Sequence, residues 1–346
     1  MQETPKQILL TGGAGFIGSN IVKILQHRYP ATKLRILHLP KENLLNLKGL
    51  KDLELMAGDI TNADDVARAV SGCDVVFHLA AIYALWLPDM SLMDRINVGG
   101  TRLVLEECLK QKVKRVVYTS SMVCFIGQGV DKVSDETSPF SMDNMVYARS
   151  KYDSHIIAEN YAKKGLDVVI ACPAMPMGPG DVGPTPTGRM VMDIFRFPIP
   201  LSVDSEVNII DVRDCAMGHI LALEKGRTGE SYILGGENYT YSDILRRVLR
   251  ICGLKNRILN LPEFALRGVA IAMTTSARFT KIPPLLTPTE IDVAKKGAIA
   301  NAAKARNELG LTVRPLEQTL HDSLEWFVQN GYITRAAVVK RFKKAA

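Results

Sequence analysis

The chain has 346 residues, of which 47% are hydrophobic and 23% charged, and its net charge is +7. These proportions are typical of a folded globular protein, and the length is enough for one large domain or two lobes. No uninterrupted apolar run is long enough to span a membrane, and no nucleic-acid-binding motif accompanies the positive charge.

The cysteines and histidines argue against two further classes of protein. Neither the six cysteines nor the six histidines show paired or metal-ligand spacing, so we expect reduced thiols and no metal site. The first residues lead directly into an apolar strand, so we expect no secretory leader and a cytoplasmic location.

A glycine-rich turn at residues 9–18 is the first informative stretch. It lies between a strand-like run at 7–10 and a segment of helical periodicity at 19–25. Its glycines fit two spacings of a dinucleotide fingerprint, Gly13-x-Gly15-x-x-Gly18 and Gly12-x-x-Gly15-x-x-Gly18. Such a turn directs amide groups and a helix dipole toward a pyrophosphate, so the segment predicts dinucleotide binding.

Strand-like runs alternate with helical patterns through the first half of the chain. Further strands are predicted at 34–38, 53–56, 74–79, 116–119 and 167–171, and helices at 63–70, 93–110 and 145–163. This alternation predicts an α/β fold of the Rossmann type, with a doubly wound parallel sheet.

The second half has a different composition. The proline-rich stretch 173–200 predicts a loop-rich substrate wall, and residues 208–212 predict a return to the sheet. Helices are predicted at 214–225 and 242–252, so a smaller, discontinuous C-terminal substrate lobe is expected.

The predicted domain division follows from these elements. Residues 1–172 with 207–226 form the dinucleotide-binding domain, and 173–206 with 227–333 form the substrate lobe. The basic tail 334–346 is expected to be solvated or frayed, and a weak contact with an anionic membrane surface is the alternative.

The strongest chemical signal is a tyrosine and a lysine four residues apart at the start of a predicted helix. Tyr147 and Lys151 share one helical face, and an ammonium lowers the pKa of a neighbouring phenol. Such a phenol exchanges a proton with a substrate oxygen. The preceding strand ends in the hydroxyl run 119–121, at the sheet edge where ligands bind in open α/β folds.

The order of glycine turn, serine and Tyr-x-x-x-Lys resembles the extended short-chain dehydrogenase/reductase family, also called the NAD(P)-dependent epimerase/dehydratase superfamily. The likeness covers residues 6–333 and is nearest to the dihydroflavonol-reductase-like branch, especially the hopanoid-associated sugar epimerase group. The long segments that carry it are 80–89, 184–189 and 229–238.

The resemblance implies a role for each matching residue. Tyr147 would be the acid/base, Lys151 would hold the nicotinamide ribose and tune Tyr147, and Ser121 would orient the substrate oxygen. Asn97 matches a family asparagine at a helix start, where simple helix packing is the alternative. The predicted cofactor contacts are Gly12, Gly15, Phe16, Ile17, Gly18, His38, Lys41, Asp59, Ile60, Leu79, Ala80, Ala81, Thr119, Tyr147, Lys151, Pro173 and Ala174.

The end of the second strand bears on the choice of cofactor. An NAD site usually places an acid there, whereas this chain has His38 and then Lys41. Because His38 rather than a carboxylate occupies this position, nothing there would repel a 2′-phosphate. NADP(H) is therefore favoured, and NAD(H) is the alternative.

Three features bear on the substrate, a small molecule. Family dehydratases place acids after the catalytic hydroxyl, but Met122 and Val123 follow Ser121 here, so dehydration is disfavoured. Nucleotide-sugar enzymes often have asparagine where Cys172 stands. An apolar wall is predicted from Tyr83, Trp86 and Met175, with core packing as the alternative, and phosphate contacts from Arg189 and Arg213.

Three functions stay open. The first is an NADP(H)-dependent oxidoreductase acting on a carbonyl or alcohol carbon, and the second is an epimerase of a nucleotide- or lipid-linked sugar with a tightly bound cofactor. The third is a non-catalytic dinucleotide-binding regulatory protein. Helices 93–110 and 145–163 resemble the family's dimer interface, so a homodimer is expected.

Overall fold

A computed structural model describes residues 3–129, 132–195, 201–202, 205–255, 258–260, 263–280, 284 and 286–343. Its main sheet has seven strands, all parallel, in the spatial order β3-β2-β1-β4-β5-β6-β10. The strands are β1 Gln7–Thr11, β2 Lys33–His38, β3 Leu53–Ala57, β4 Val75–His78, β5 Arg115–Thr119, β6 Val168–Pro173 and β10 Ser231–Leu234.

Two smaller sheets accompany it. One contains β7 Met175–Met177, β9 Glu206–Asp211 and β11 Glu237–Thr240, and the other pairs β8 Leu201–Ser202 with β12 Leu259–Asn260.

The helices of the first half are α1 Phe16–Arg28, α2 Ala63–Val70, α3 Ser91–Met93, α4 Thr101–Lys110 and α5 Val146–Lys163. Those of the second half are α6 Pro186–Asp193, α7 Val212–Lys225, α8 Tyr241–Ile251, α9 Glu263–Thr280, α10 Pro288–Lys296, α11 Leu316–Gln329 and α12 Ala336–Lys343.

Both faces of the main sheet are covered by helices. α1 packs against α7 on one face, and α4 packs against α2 and α5 on the other. The central strands β1, β4 and β6 are therefore buried apolar runs, as expected for a parallel sheet with two covered faces. The predicted Rossmann architecture is confirmed. Chain order reverses between β1 and β4, which is the place where such sheets bind ligands.

Two strands lie in sheets other than those predicted. β9 was expected to return to the main sheet, but it pairs with β7 and β11 in the small sheet. β10 was assigned to the substrate lobe, but it pairs with β6 and completes the main sheet. The chain therefore crosses between the two regions at other positions than the sequence indicated, and the domain division itself stays a prediction.

The helix predicted at 93–110 is not regular. A wider π-helical turn at Asp94–Gly100 separates α3 from α4, and it contains Asn97. A side chain at Gly100 would overlap Ile60, so glycine allows this turn to pack closely on the loop between β3 and α2. Inserted π turns often lie at functional sites.

The basic tail is a docked helix rather than a frayed end. In α12, Val338 and Phe342 are buried, and the helix packs against α11. Lys340, Arg341 and Lys343 remain exposed, while residues 344–346 lie outside the described part. Contact of these cations with an anionic membrane stays a prediction. In the part of the chain that is described, no helix has the length and apolarity to span a bilayer.

Two buried histidines predict acid sensitivity. Burial lowers the pKa of His78 to about 3 and that of His219 to about 4. Below pH 6.5 the unfolded chain binds protons that the folded chain does not, so stability is lost as the pH falls toward these values. Between pH 7 and pH 5, each histidine should remove about 2 kcal/mol from the free energy of unfolding.

Urea unfolding of the His78→Gln variant at both pH values tests this expectation. The pH-dependent loss should shrink by about 2 kcal/mol. The exposed His27→Gln on α1 is the control and should leave the loss unchanged. If His78→Gln and the parent lost the same free energy of unfolding between pH 7 and pH 5, the attribution of this loss to His78 would be contradicted.

Candidate active site

The glycine turn forms a close-packed cradle between β1 and α1. Gly12 has a φ of +71°, and a side chain there would lie 2.8 Å from the Ala80 nitrogen. A side chain at Gly18 would overlap the Gly12 carbonyl oxygen. Gly15 precedes α1 as its N-cap, and its N–H donates to Gly12 O at 3.1 Å. The structure therefore supports the 12–15–18 spacing.

This cradle fits the pyrophosphate of a dinucleotide. The N–H groups of the first turn, at Phe16–Gly18, have no acceptor within the helix, and the dipole of the 13-residue helix favours an anion there. The predicted cofactor contacts at Gly12, Gly15 and 16–18 thus lie together in this cradle, and their contact with a cofactor stays a prediction.

Lys151 is buried at the end of β5. Only 3% of it is exposed, and its Nζ donates to the Thr119 carbonyl oxygen at 2.8 Å. The Tyr118 hydroxyl lies 3.4 Å from the same nitrogen, and the Tyr118 ring centroid lies 5.2 Å away. Burial lowers the pKa of Lys151 to about 8. Tyr118 was missed in the sequence because strand alternation alone does not reveal a lysine partner.

The predicted direction of the Tyr147 pKa is wrong for this structure. Burial raises the pKa of Tyr147 above its ordinary value, and the hydrogen-bonding side chain of Ser121 only partly offsets this. Lys151 does not contact the phenol, because its ammonium is directed to Thr119 and Tyr118. Tyr147 is therefore protonated at neutral pH and is suited to donate a proton.

The hydroxyl groups of Thr119, Ser120 and Ser121, at the end of β5, have different partners. The Ser121 side chain faces Tyr147 and also accepts the Val123 N–H at 3.3 Å. The Thr119 hydroxyl lies 3.0 Å from His219 Nε2, so that hydroxyl is engaged and the residue serves the site through its carbonyl. Ser120 is hydrogen-bonded to His155 Nδ1 at 2.8 Å.

Asn97 links the segment after β4 to helix α5. Its Oδ1 accepts the Ile82 N–H at 2.7 Å, and its Nδ2 lies 3.1 Å from Ile82 O and 3.0 Å from Ser150 Oγ. The Ser150 hydroxyl in turn donates to Tyr147 O at 2.8 Å. The asparagine therefore does more than pack the helix, since it sets the distance between residues 80–82 and α5.

The predicted adenosine end lies beyond β2 and β3. His38 Nδ1 is 2.9 Å from Leu39 O, and Lys41 is exposed. Glu42, which the sequence reasoning missed, accepts the Leu39 N–H at 3.0 Å and brings a carboxylate to this turn. Its proximity to His38 in sequence was the available signal. Asp59 accepts from Thr61, and Ile60 is buried.

The remaining predicted cofactor contacts lie along the sheet edge. Ala80 donates its N–H to the Thr11 hydroxyl at 3.2 Å, directly above Gly12. Leu79 and Ala81 flank it in sequence. Pro173 ends β6, and Ala174 donates its N–H to Leu234 O at 2.9 Å, so β10 supports this position.

The predicted apolar wall is only partly assembled. The Tyr83 ring lies 4.8 Å from the Tyr147 ring, centroid to centroid, and Tyr83 is 39% exposed. Trp86, three residues after Tyr83 in the sequence, lines a cleft of about 360 Å³. Met175 packs against the main core, which is the packing alternative for that residue.

Arg213 and Arg189, the two predicted phosphate ligands, lie in different surroundings. Arg213 forms ion pairs with Asp211 at 2.6 Å and Asp322 at 2.7 Å, so it is already paired rather than directed at a ligand. Arg189 is exposed on α6 and donates to Pro184 O at 3.2 Å. Cys172 is fully buried in β6.

A seven-stranded Rossmann sheet with this tyrosine, lysine and glycine cradle defines an NAD(P)-dependent enzyme of the extended short-chain dehydrogenase type. The family model described as the NAD dependent epimerase/dehydratase family matches residues 8–235. The chain belongs to this family, and an NAD(P) dinucleotide is its typical cofactor.

Three similar proteins extend over almost the whole chain. A Synechocystis protein provisionally named dihydroflavonol 4-reductase is 35% identical over 338 residues, covering 94% of this chain and 95% of its own. Sterol demethylase protein B of Methylococcus capsulatus is 29% identical, covering 94% and 99%. The crystal structure of gox2253 is 36% identical with a TM-score of 0.83, covering 95% and 100%.

Removal of the Asn97 amide tests its positioning role. In Asn97→Ala the three contacts are lost, and the free energy of unfolding should fall by about 2–3 kcal/mol. Because Tyr147 then shifts relative to residues 80–82, kcat/KM should fall by about tenfold. Asn160→Ala, which removes an exposed asparagine of α5, is the control for both measurements. Wild-type values for Asn97→Ala would contradict the role.

Proposed function

We propose that the protein is an NADP(H)-dependent oxidoreductase that transfers hydride between the nicotinamide and a carbonyl or alcohol carbon. The observation that carries this proposal is the position of the Tyr147 phenol beside Ser121, at the carboxyl ends of the strands, where the glycine cradle also lies. When bound, the dinucleotide supplies or accepts the hydride.

The chain's own groups handle the substrate oxygen. In reduction, the hydroxyls of Ser121 and Tyr147 donate hydrogen bonds to the carbonyl oxygen, and Tyr147 transfers its proton as negative charge develops there. Tyr147 holds this proton at neutral pH, because a phenol titrates near pH 10 and burial raises the pKa of Tyr147 further. Lys151, with a pKa of about 8, adds positive charge next to the site below that pH.

The proposed preference for NADP(H) rests on the turn after β2. Lys41 is an exposed cation there, His38 adds a second basic group, and no acid replaces His38 at the strand end. Glu42 opposes this preference, because its carboxylate lies on the same turn. The balance between Lys41 and Glu42 decides the affinity for a 2′-phosphate.

An apolar substrate fits the surroundings of Tyr147. Tyr83 covers one side of the phenol, and Trp86 continues the wall into the adjacent cleft. The name of one relative, sterol demethylase protein B, refers to a sterol, which is an apolar ring compound. We extend this chemistry, an apolar carbonyl or alcohol, to the present chain.

Epimerisation of a linked sugar is the second candidate. The family description includes epimerases, and the exposed Arg189 offers a cation to a phosphate. The resemblance to the hopanoid-associated sugar epimerase group belongs to this candidate. A product isomer formed without net consumption of NADPH would favour it over reduction.

Loss of the phenol tests the proposed proton donor. Tyr147→Phe should lower kcat for NADPH-dependent carbonyl reduction by about 10²–10⁴-fold, because no other acid replaces the hydroxyl. The Kd for NADPH should change little. Tyr152→Phe, one turn further along α5, keeps its stacking on Phe140 and is the matched control. A kcat for Tyr147→Phe equal to that of the parent would contradict the role of Tyr147 as the proton donor.

The cofactor preference is tested by a pair of opposite substitutions. Lys41→Ala should weaken NADPH binding by about two- to fivefold and leave NADH binding unchanged, since an exposed ion pair is worth little more. Glu42→Gln should strengthen NADPH binding. Both effects should shrink at high salt. Equal changes for NADH and NADPH would contradict a 2′-phosphate contact.

We also propose a cytoplasmic homodimer in which α4 and α5 of one protomer pack on the same helices of its partner. Val146, exposed at the start of α5, is part of the proposed contact. Light scattering at micromolar concentration should give twice the monomer mass. In Val146→Asp the dimer should dissociate at higher concentration than in the parent, and a monomeric parent would contradict the proposal.

A further inference from the structure

A cleft of about 360 Å³ is lined in part by the segment that follows Tyr83, whose ring contacts Tyr147. One wall is the segment 85–90, and the other is formed by α9 and the start of α10. The described lining residues, none of which carries a charge, are Leu85, Trp86, Leu87, Pro88, Met90, Thr274, Thr287, Pro288 and Thr289.

The cleft is continuous in sequence with the wall of the active site. Tyr83, whose ring contacts Tyr147, lies two residues before Leu85 and three before Trp86. A substrate whose reacting carbon lies at Tyr147 and whose body follows this segment past Tyr83 is therefore directed toward the cleft.

Thr274 is the unusual residue in this lining. Its Oγ1 is buried and has no hydrogen-bond partner among the residues that the structure describes. Two other threonines of α9 behave in the ordinary way: Thr275 donates to Ile271 O at 2.8 Å, and Thr280 to Ser276 O at 3.1 Å. An unsatisfied buried hydroxyl is costly, so each instance calls for a specific explanation.

We propose that the cleft binds the apolar body of the substrate and that the Thr274 hydroxyl hydrogen-bonds a neutral oxygen remote from the reacting carbon. The substrate class is thus an uncharged, largely apolar ring compound with a second hydroxyl or carbonyl group. That the bound compound is the substrate rests on the proposed function, whereas the binding of an apolar compound in the cleft does not.

A charged substrate body is disfavoured by the same lining. The described lining offers no cation for a pyrophosphate, and Arg213, a predicted phosphate ligand, is already paired with two aspartates. A buried anion without a partner would lose its hydration without compensation.

Equilibrium dialysis of the full chain without cofactor tests the proposal with three related probes. Naphthalene has no oxygen, 2-naphthol adds one hydroxyl, and 2-naphthoate adds a charge. For the parent, 2-naphthol should bind about five- to tenfold more tightly than naphthalene, which is the effect of one hydrogen bond. 2-Naphthoate should bind more weakly than either probe.

The variants then locate the hydrogen bond. Thr274→Val should abolish the advantage of 2-naphthol over naphthalene, and Thr274→Ser should retain it. Thr275→Val, the adjacent exposed threonine, is the matched control and should retain it as well. Trp86→Ala should weaken the binding of both naphthalene and 2-naphthol. Urea unfolding should show Thr274→Val to be at least as stable as the parent, because a buried unpaired hydroxyl is removed.

Three results would overturn the proposal. They are an unchanged 2-naphthol advantage in Thr274→Val, an equal loss of that advantage in Thr275→Val, and tighter binding of 2-naphthoate or uridine diphosphate than of 2-naphthol. These readouts are independent of turnover. Failure of NADPH oxidation with intact probe binding would contradict the proposed function alone.

Discussion

The buried ammonium of Lys151 is the interaction on which the geometry of the site depends. Its Nζ lies 2.8 Å from the Thr119 carbonyl oxygen, so it joins helix α5 to the end of strand β5. A charge in the interior is expensive unless it is hydrogen-bonded, and the Tyr118 hydroxyl and ring add to its stabilisation. Because α5 is held in this way, Tyr147, one turn earlier, lies beside Ser121.

Two further constraints bring distant parts of the chain to the same place. Asn97 binds the backbone of Ile82 and the side chain of Ser150, so the segment after β4 and helix α5 cannot move independently. Gly12 lets the glycine turn lie directly against Ala80. The pyrophosphate cradle, the segment leading to Tyr83 and the catalytic helix thus converge at the point where strand order reverses.

The elements with strong periodicity could be predicted from the sequence, and those that depend on distant partners could not. The Rossmann strands, the glycine turn and helix α5 follow from local patterns. The exchange of β9 and β10 between sheets was missed because their pairing is set by tertiary contacts rather than by a local pattern. Arg213 was misjudged because its partner Asp322 lies more than a hundred residues away. The sign of the Tyr147 pKa shift depends on burial, and helical spacing does not reveal burial.

A crystal structure of the protein with NADPH tests the central claim most directly. The account predicts the pyrophosphate at the N-terminal turn of α1 over Gly12 and Gly15, and the nicotinamide ring beside Tyr147 with Lys151 at its ribose. A dinucleotide bound elsewhere, or a nicotinamide ring out of contact with Tyr147, would contradict it.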